Sequence, residues 1–399
     1  MKIQTIFGVA TVAVVACLLF TFVAQIDDSD KGDEFLGDWT VTNFVNAGFD
    51  GDVPFYVEKT YQMDASISRI DDHFFELTMP EHSMVCVLNG DMLVTSNSIN
   101  DCPLATIHVH GDRMVLTSVV SGDWLGLTML YLERPGSTAA ADLSAASPAD
   151  SWPEVGESWD AIKALKFEEY TVENILKNGY KIKVLEKHHN VVFFENTCDS
   201  EGTRYLFTAT PIGDGRWISI THLNDGSVLQ DMVYVSDGVI RTASADYISL
   251  NEATWYIAYG DKTKDKDLSL DVAQMKFTGK ESAKLVDGAG NILKEYENDI
   301  ELTVFSQNDH MLLIATSYSG GDFKGNATWE VLAENESYGL SLTVQASFFI
   351  DDDDYLGYYY GTLSKDMNTI KISGIAVGPD GNYVVVTQEY NVGKKINLT

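Results

Sequence analysis

Glycine preceded by aspartate or asparagine punctuates this chain at Asn89-Gly90, Asp214-Gly215, Asp225-Gly226, Asp237-Gly238 and Asp380-Gly381. Tight primed turns require positive φ, which these residue types supply at low steric cost. Between and around the pairs lie alternating apolar and polar runs. They include His73–Met79, Met92–Ser96, Thr106–His110, Met114–Val120, Leu127–Glu133, Arg204–Thr210, Trp217–His222, Trp255–Tyr259, Leu342–Ile350 and Tyr383–Thr387. Strands this short, spaced about 8–12 residues apart, predict an all-β fold of tandem antiparallel meander barrels or sandwiches. Ser158–Lys177 alone competes for helix, with Trp159, Ile162 and Leu165 at mixed spacing and Gly179 as a stop. It reads as a short helix or as an irregular first strand.

Two breaks in composition divide the chain. Residues 135–155 are rich in Ala, Ser and Pro and read as a flexible linker. Residues 261–267 carry charge and no apolar side chain, and read as a second linker. The expected units are therefore β modules at 35–134, 156–260 and 268–399, each of ordinary domain size. With 45% hydrophobic residues, each has enough apolar material for a core. Leu165-Lys166-Phe167 and Met275-Lys276-Phe277 open the second and third modules alike, which fits either repeats of one unit or shared composition.

The first module opens on Phe35-Leu36-Gly37-Asp38-Trp39 and closes on Met129-Leu130-Tyr131-Leu132-Glu133-Arg134. Over residues 35–134 it resembles the lipocalin-like domains of exported prokaryotic proteins, which open with Gly-x-Trp and close on a strand ending in Arg. The resemblance implies that Trp39 packs across one end of a barrel and that Arg134 lies against it, as structural partners. It also implies an interior that either holds a small ligand or is filled by its own side chains.

The amino end sets where the chain works. Residues 6–23 contain no charge, Lys2 precedes them, and Asp27, Asp28, Asp30, Asp33 and Glu34 follow in an acidic flank over 26–34. An apolar helix of about 18 residues crosses a ~30 Å hydrocarbon core, and the charge asymmetry keeps Lys2 on the cytoplasmic side. Residues 1–25 thus read as a signal or transmembrane anchor. Three fates fit: retention as an anchor, cleavage after Ala24, or lipidation at Cys17 in Val14-Val15-Ala16-Cys17. Localisation at the cell membrane, with the remaining chain outside, or secretion, follows. A net charge of −32 excludes nucleic acid as partner, since phosphate backbones would be repelled. Cations, glycans, peptides and small apolar ligands remain. Beyond the anchor, Cys86, Cys102 and Cys198 do not make a disulfide scaffold, though Cys86 and Cys102 are expected on neighbouring strands.

Few side-chain constellations carry chemistry. His108 and His110 share a strand face and could reach one metal ion, opposite the apolar face of Ala105, Ile107 and Val109; the alternation places both histidines toward solvent. Asp351, Asp352, Asp353 and Asp354 crowd a predicted hairpin tip, where carboxylates can gather Ca²⁺. Beside them Tyr355, Tyr358 and Tyr359 offer an outward platform for a glycan or peptide. Sequons at Asn326, Asn335 and Asn397 are compatible with export. No nucleophile elbow, zinc-protease helix, phosphate loop or dinucleotide fingerprint occurs. The expectation is an exported surface protein with a binding or structural role rather than an enzyme. The alternatives are a carboxylate-dependent hydrolase on a β scaffold and a calcium-stabilised adhesin.

Overall fold

The computed structural model describes residues 31–97, 102–120, 126–137, 153–168, 171–213, 216–222, 228–236, 239–246, 254–261, 268–308, 311–318, 324–335, 339–350, 353–378 and 381–396. The chain divides into two units, Met1–Glu34 and Phe35–Thr399. Residues 6–23, and with them the expected anchor, lie outside the described residues, as do most of 135–155 and 261–267. Among the described residues no helix is long and apolar enough to cross a membrane.

The second unit is all-β. A first group holds β1 (Gly37–Asp50), β2 (Val53–Arg69), β3 (Phe74–Met79), β4 (His82–Asn89), β5 (Met92–Asn97), β6 (Cys102–His110), β7 (Arg113–Val120) and β8 (Gly126–Glu133). A second holds β9 (Ser158–Glu168), β10 (Thr171–Asn174), β11 (Tyr180–His188), β12 (Val191–Cys198), β13 (Thr203–Gly213), β14 (Arg216–His222), β15 (Val228–Ser236), β16 (Val239–Asp246) and β17 (Thr254–Asp261). The third holds β18 (Met275–Val286), β19 (Ile292–Asn308), β20 (Met311–Tyr318), β21 (Lys324–Asn335), β22 (Gly339–Ile350), β23 (Asp353–Leu363), β24 (Thr369–Val377) and β25 (Tyr383–Lys395). Strands β1–β8 and β18–β25 close into two eight-stranded antiparallel barrels in sequence order. The middle group is a nine-stranded sheet in which β9 also pairs with β17, so the sheet curls round with β10 outside the ring.

Local chemistry accounts for the meander. Asn89 pairs with Met92 across a two-residue turn in which Gly90 has φ 63°, a conformation that costs glycine little. Gly213 pairs with Arg216 and Ser236 with Val239, so strands flank the Asp214-Gly215 and Asp237-Gly238 positions. The described residues of the Ser158–Lys177 stretch include strands β9 and β10, and none of them is helical. Tyr259 opposes Lys163 while Gly260 opposes Ala161, a bulge that frees Ile162 to solvent and produces the mixed spacing.

Each group has its own interior core. In the first, Arg134 stands 3.9 Å over the Trp39 ring and donates to Leu36 O at 2.6 Å, while Trp39 Nε1 donates to Phe35 O at 2.8 Å. The lipocalin-like resemblance implied this pairing. Trp159 fills the corresponding place early in β9, and Phe277 does so in β18.

The outer faces are not simply polar. Val85, Val87, Met92 and Val94 of the first group meet Ile218 and Ile220 of the second and Tyr360, Ile375, Tyr383 and Val385 of the third in one shared core. Polar ties cross the same junction. Val85 N donates to Tyr383 Oη at 2.9 Å, Asn89 Nδ2 donates to Tyr360 O at 3.2 Å and Ser373 O at 2.8 Å, and Ser373 Oγ donates to Leu88 O at 2.8 Å. Lys284, nearly buried, reaches Asp71 at 3.3 Å and lies over Phe74 at 4.8 Å.

A second shared core joins the first two groups: Val45, Phe49, Met129 and Tyr131 against Val191, Phe193 and Leu206. Tyr131 Oη donates to Asn190 Oδ1 at 2.8 Å in the β11–β12 turn. At its rim His188 stacks on Tyr56 with ring centroids 5.0 Å apart.

This packing corrects two expectations. His108 is only 4% exposed, because β23 and β24 lie against β6 and cover the face expected to meet solvent. Cys86 is a free thiol inside the first barrel, pushed up to about 12 by burial, and β5 lies between its strand and that of Cys102. The side chains of His110 and Cys102 lie outside the described residues.

Two outcomes follow from these contacts. Asn89→Ala removes two buried hydrogen bonds at the junction and is expected to cost about 1–3 kcal/mol in urea unfolding of the full chain; an unchanged midpoint would show that these polar ties contribute nothing. At the other contact, Phe49 N donates to His222 Nε2 at 3.3 Å, which requires the unprotonated nitrogen. Burial lowers the His222 pKa in the folded chain. The unfolded chain therefore binds this proton first, and the contribution, complete above pH ~6.5, is lost as pH falls through that value and levels off below the folded pKa. His222→Gln keeps an acceptor that does not titrate, so stability measured between pH 5 and 8 should lose this part of its slope.

Candidate functional site

Period-two alternation on β18 separates two kinds of charge. Lys276, Lys280 and Lys284 point outward and pair with Glu301, Asp299 and Glu295 on β19. Phe277, Glu281 and Ala283 point into the third barrel. Glu281 is therefore a carboxylate on an interior wall, 7% exposed.

The register decides what surrounds it. Asn298 of β19 and Gln388 of β25 sit directly opposite Glu281 on its two sides. Asn298 Nδ2 donates to Glu281 Oε1 at 3.0 Å, and Gln388 Nε2 donates to Oε2 at 2.7 Å. Tyr390 Oη donates to Gln388 Oε1 at 3.0 Å, extending the network by one member. A buried carboxylate is costly without such donors, and here each oxygen has one.

Aromatic rings lie on both sides of this row. Tyr390 stands opposite Gly279, where the strands come so close that a Cβ would lie 2.7 Å from Tyr390 Cα; only glycine fits. In the next row Tyr359 opposes Gly374, Gly374 opposes Val386, Val386 opposes Ala283, and Ala283 opposes Tyr296. Two tyrosines thus share a row with two of the smallest side chains. The Tyr359 hydroxyl is held well above its ordinary pKa by burial, and then by the charge of Glu281 and the neighbouring Tyr390. The Tyr296 hydroxyl is buried and meets no hydrogen-bond partner, while Lys294 Nζ lies 4.7 Å from the centre of its ring.

Strand β19 is 17 residues long and pairs with β18 from Ile292; among the described residues its ladder with β20 runs from Ile300 opposite Tyr318. Tyr296 and Asn298 are only partly buried. A carboxylate, two amides and three phenols at one barrel end can fix a small polar or charged molecule.

The residues expected from sequence fall elsewhere, with one exception. Tyr359 belongs to the described site, but it points inward and is 6% exposed, not outward on a surface platform. The hairpin parity of β23 reverses the expected facing, and Tyr360 takes the outer face. Asp353 and Asp354 open β23 opposite Ile350 and Phe349; Asp351 and Asp352, and the side chains of Asp353, Asp354, Tyr355 and Tyr358, lie outside the described residues. Among the described residues no group of three or more His, Cys, Asp or Glu side chains is placed to hold a metal ion. Glu281, Asn298 and Gln388 escaped the sequence reading. The available signal was an acid at an inward position of an alternating strand, between Phe277 and Ala283.

No family model matches this chain, and no curated protein matches it. Among solved structures, a DUF3598-family protein of unknown function from Nostoc punctiforme is similar at 9% identity and TM-score 0.26, over 60% of this chain and 96% of that one. Transferrin binding protein B from Haemophilus parasuis is similar at 9% identity and TM-score 0.24, over 90% of this chain and 76% of that one. Its Neisseria meningitidis counterpart is similar at 10% identity and TM-score 0.24, over 89% and 76%.

The amide network should be measurable as stability. Gln388→Met removes the donor to Glu281 Oε2 and the acceptor for Tyr390, at an expected cost of about 1.5–3 kcal/mol, the range for hydrogen bonds to charged groups. Thermal unfolding of the full chain checks it, and a loss below the usual scatter of surface substitutions would show the row to be dispensable.

Proposed function

We propose that this chain is an exported, non-catalytic binding protein, held at the outer face of a membrane by residues 6–23 and receiving a small ligand at the polar end of its third barrel. The observation that carries the binding reading is Glu281, a nearly buried carboxylate fixed by Asn298 and Gln388 beside Tyr359 and Tyr390 inside the barrel. A fully structural barrel gains more from an apolar residue at that position, because burying charge costs more than burying hydrocarbon.

Export is supported by the order of charges at the amino end: Lys2, an uncharged run over 6–23, then five acids by Glu34. The non-catalytic reading is supported by the sequence, in which no nucleophile elbow, zinc-protease helix, phosphate loop or dinucleotide fingerprint occurs.

Two experiments test the two halves. A carboxy-terminal tag on the full chain should be digested by protease added to intact cells and should sediment with membranes. Recovery of the intact chain in the cytosol would end the export reading. For binding, a fragment screen by ligand-observed NMR on the purified full chain should yield hits that weaken in Tyr296→Leu. Hits indifferent to that change, or turnover of any hit, would end the binding reading.

A further inference from the structure

We infer that the outer end of the β1–β2 hairpin is a pH-responsive clasp on the second group: at neutral pH it is latched through His222, and mild acid shifts its hold to His188 and His189. This goes beyond the binding reading above and does not depend on it.

Strand topology leaves this end of the hairpin to be held from outside the first barrel. Among the described residues β2 pairs with β3 only from Ser66 to Arg69, and β3 turns back into β4 at residues 80–81. Contacts with the second group take over. Phe49 N donates to His222 Nε2, Tyr56 stacks on His188, and Asp52 meets Arg204 at 2.7 Å. Three of the chain's eight histidines, His188, His189 and His222, thus gather at one contact. Histidine is the side chain whose charge ordinarily changes between pH ~5 and pH ~8.

The inner latch fails when His222 takes a proton. Nε2 then carries a hydrogen of its own, and two donors face each other where one bond stood. No carboxylate awaits that charge: the ring lies edge-on to Phe49, itself edge-on to Phe193, and Leu206 and Val228 oppose it in the sheet. Burial accordingly lowers the His222 pKa, so the proton is resisted at first and costs the contact once bound.

The rim answers a proton differently. His188 Nε2 lies 2.5 Å from Glu186 Oε1 on its own strand, with the Tyr56 ring centroid 5.0 Å away. His189 Nε2 lies 3.9 Å from Glu58 Oε2, and Tyr56 is again its aromatic neighbour, at 5.9 Å. A positive ring at either place meets a carboxylate and an aromatic ring. Glu58 and Tyr56 belong to β2, so these attractions cross from the second group to the hairpin. Glu58 Oε1 already accepts from Asn43 Nδ2 at 3.2 Å, which leaves Oε2 toward His189. The other charges nearby are paired without histidine: Lys187 with Glu154, and Arg204 with Asp52 and Glu195.

Amide hydrogen exchange on the full chain, with phenylalanine selectively labelled, reads the latch at the Phe49 N–H itself. Corrected for the intrinsic rate at each pH, its protection should fall by about two- to tenfold from pH ~8 to pH ~5, the scale of one hydrogen bond. His222→Gln keeps an acceptor that does not titrate, and there the protection should stay level. An equal fall in His222→Gln, or none in the unsubstituted chain, would overturn the latch. Where His222→Gln does not fold, the Phe49 amide shift and the His222 ring signals are followed in one pH titration: a shared midpoint supports the latch, and separate midpoints overturn it. At the rim, the double variant His188→Gln, His189→Gln should lose more protection across residues 47–58 at pH ~5 than at pH ~8, relative to the unsubstituted chain. Equal protection at the two pH values would overturn the transfer of hold to the rim. Glu58→Gln, which leaves both rings in place, is read in the same way where the double variant does not fold.

Discussion

Apolar side chains on the outside of a barrel must be covered, and that requirement organises this molecule. A closed antiparallel barrel buries one face of each strand by itself. Val85 and Val87 on β4 and Val94 on β5 are fully covered on the other face as well, which one barrel cannot achieve alone. Cover comes from Ile218 and Ile220 on one side and Ile375 and Val385 on the other. Burial of each such side chain is worth about 1.5–3 kcal/mol. The polar ties through Asn89, Ser373 and Tyr383 then fix the direction of packing that the apolar contacts leave loose.

This dependence marks what the amino-acid order reveals. The Asp-Gly and Asn-Gly pairs and the alternating runs specify strands because turns and pleats are local, and β3, β5, β14 and β25 lie where those runs place them. Trp39 and Arg134 were legible too, since a short motif sets both ends of one barrel. His108 was not. Its alternation with Ile107 says only that the two face opposite ways, and nothing local says that β23 and β24, more than 200 residues later, cover the outer side. The bulge at Ile162 likewise imitated helical spacing because it breaks the period of two by one residue.

The site in the third barrel was hidden for a related reason. Glu281 lies among Lys280, Ser282 and Lys284 in a stretch that reads as a charged, solvated strand. Its neighbours in space come from β19 and β25, and the latter is 107 residues away in the chain. Parity could have flagged it: Phe277 and Ala283 are inward, and an acid two or four residues along the same face must be inward as well. Acids and aromatics cluster in sequence around residues 351–359, and of those Tyr359 is part of the interior.

The two faces of β18 place charge in two different media. Outward, Lys280 meets Asp299 directly across the ladder and Lys276 meets Glu301 diagonally, in a medium that screens the pairs and makes them worth little. Lys284 departs from this because the junction encloses it: burial alone would lower its pKa, yet Glu295 and Asp71 together hold it raised. Inward, Glu281 sits where screening is weak, so its charge reaches Tyr359 and its cost is met by two amides. The same residue type thus neutralises a surface on one side of the strand and creates a persistent field on the other.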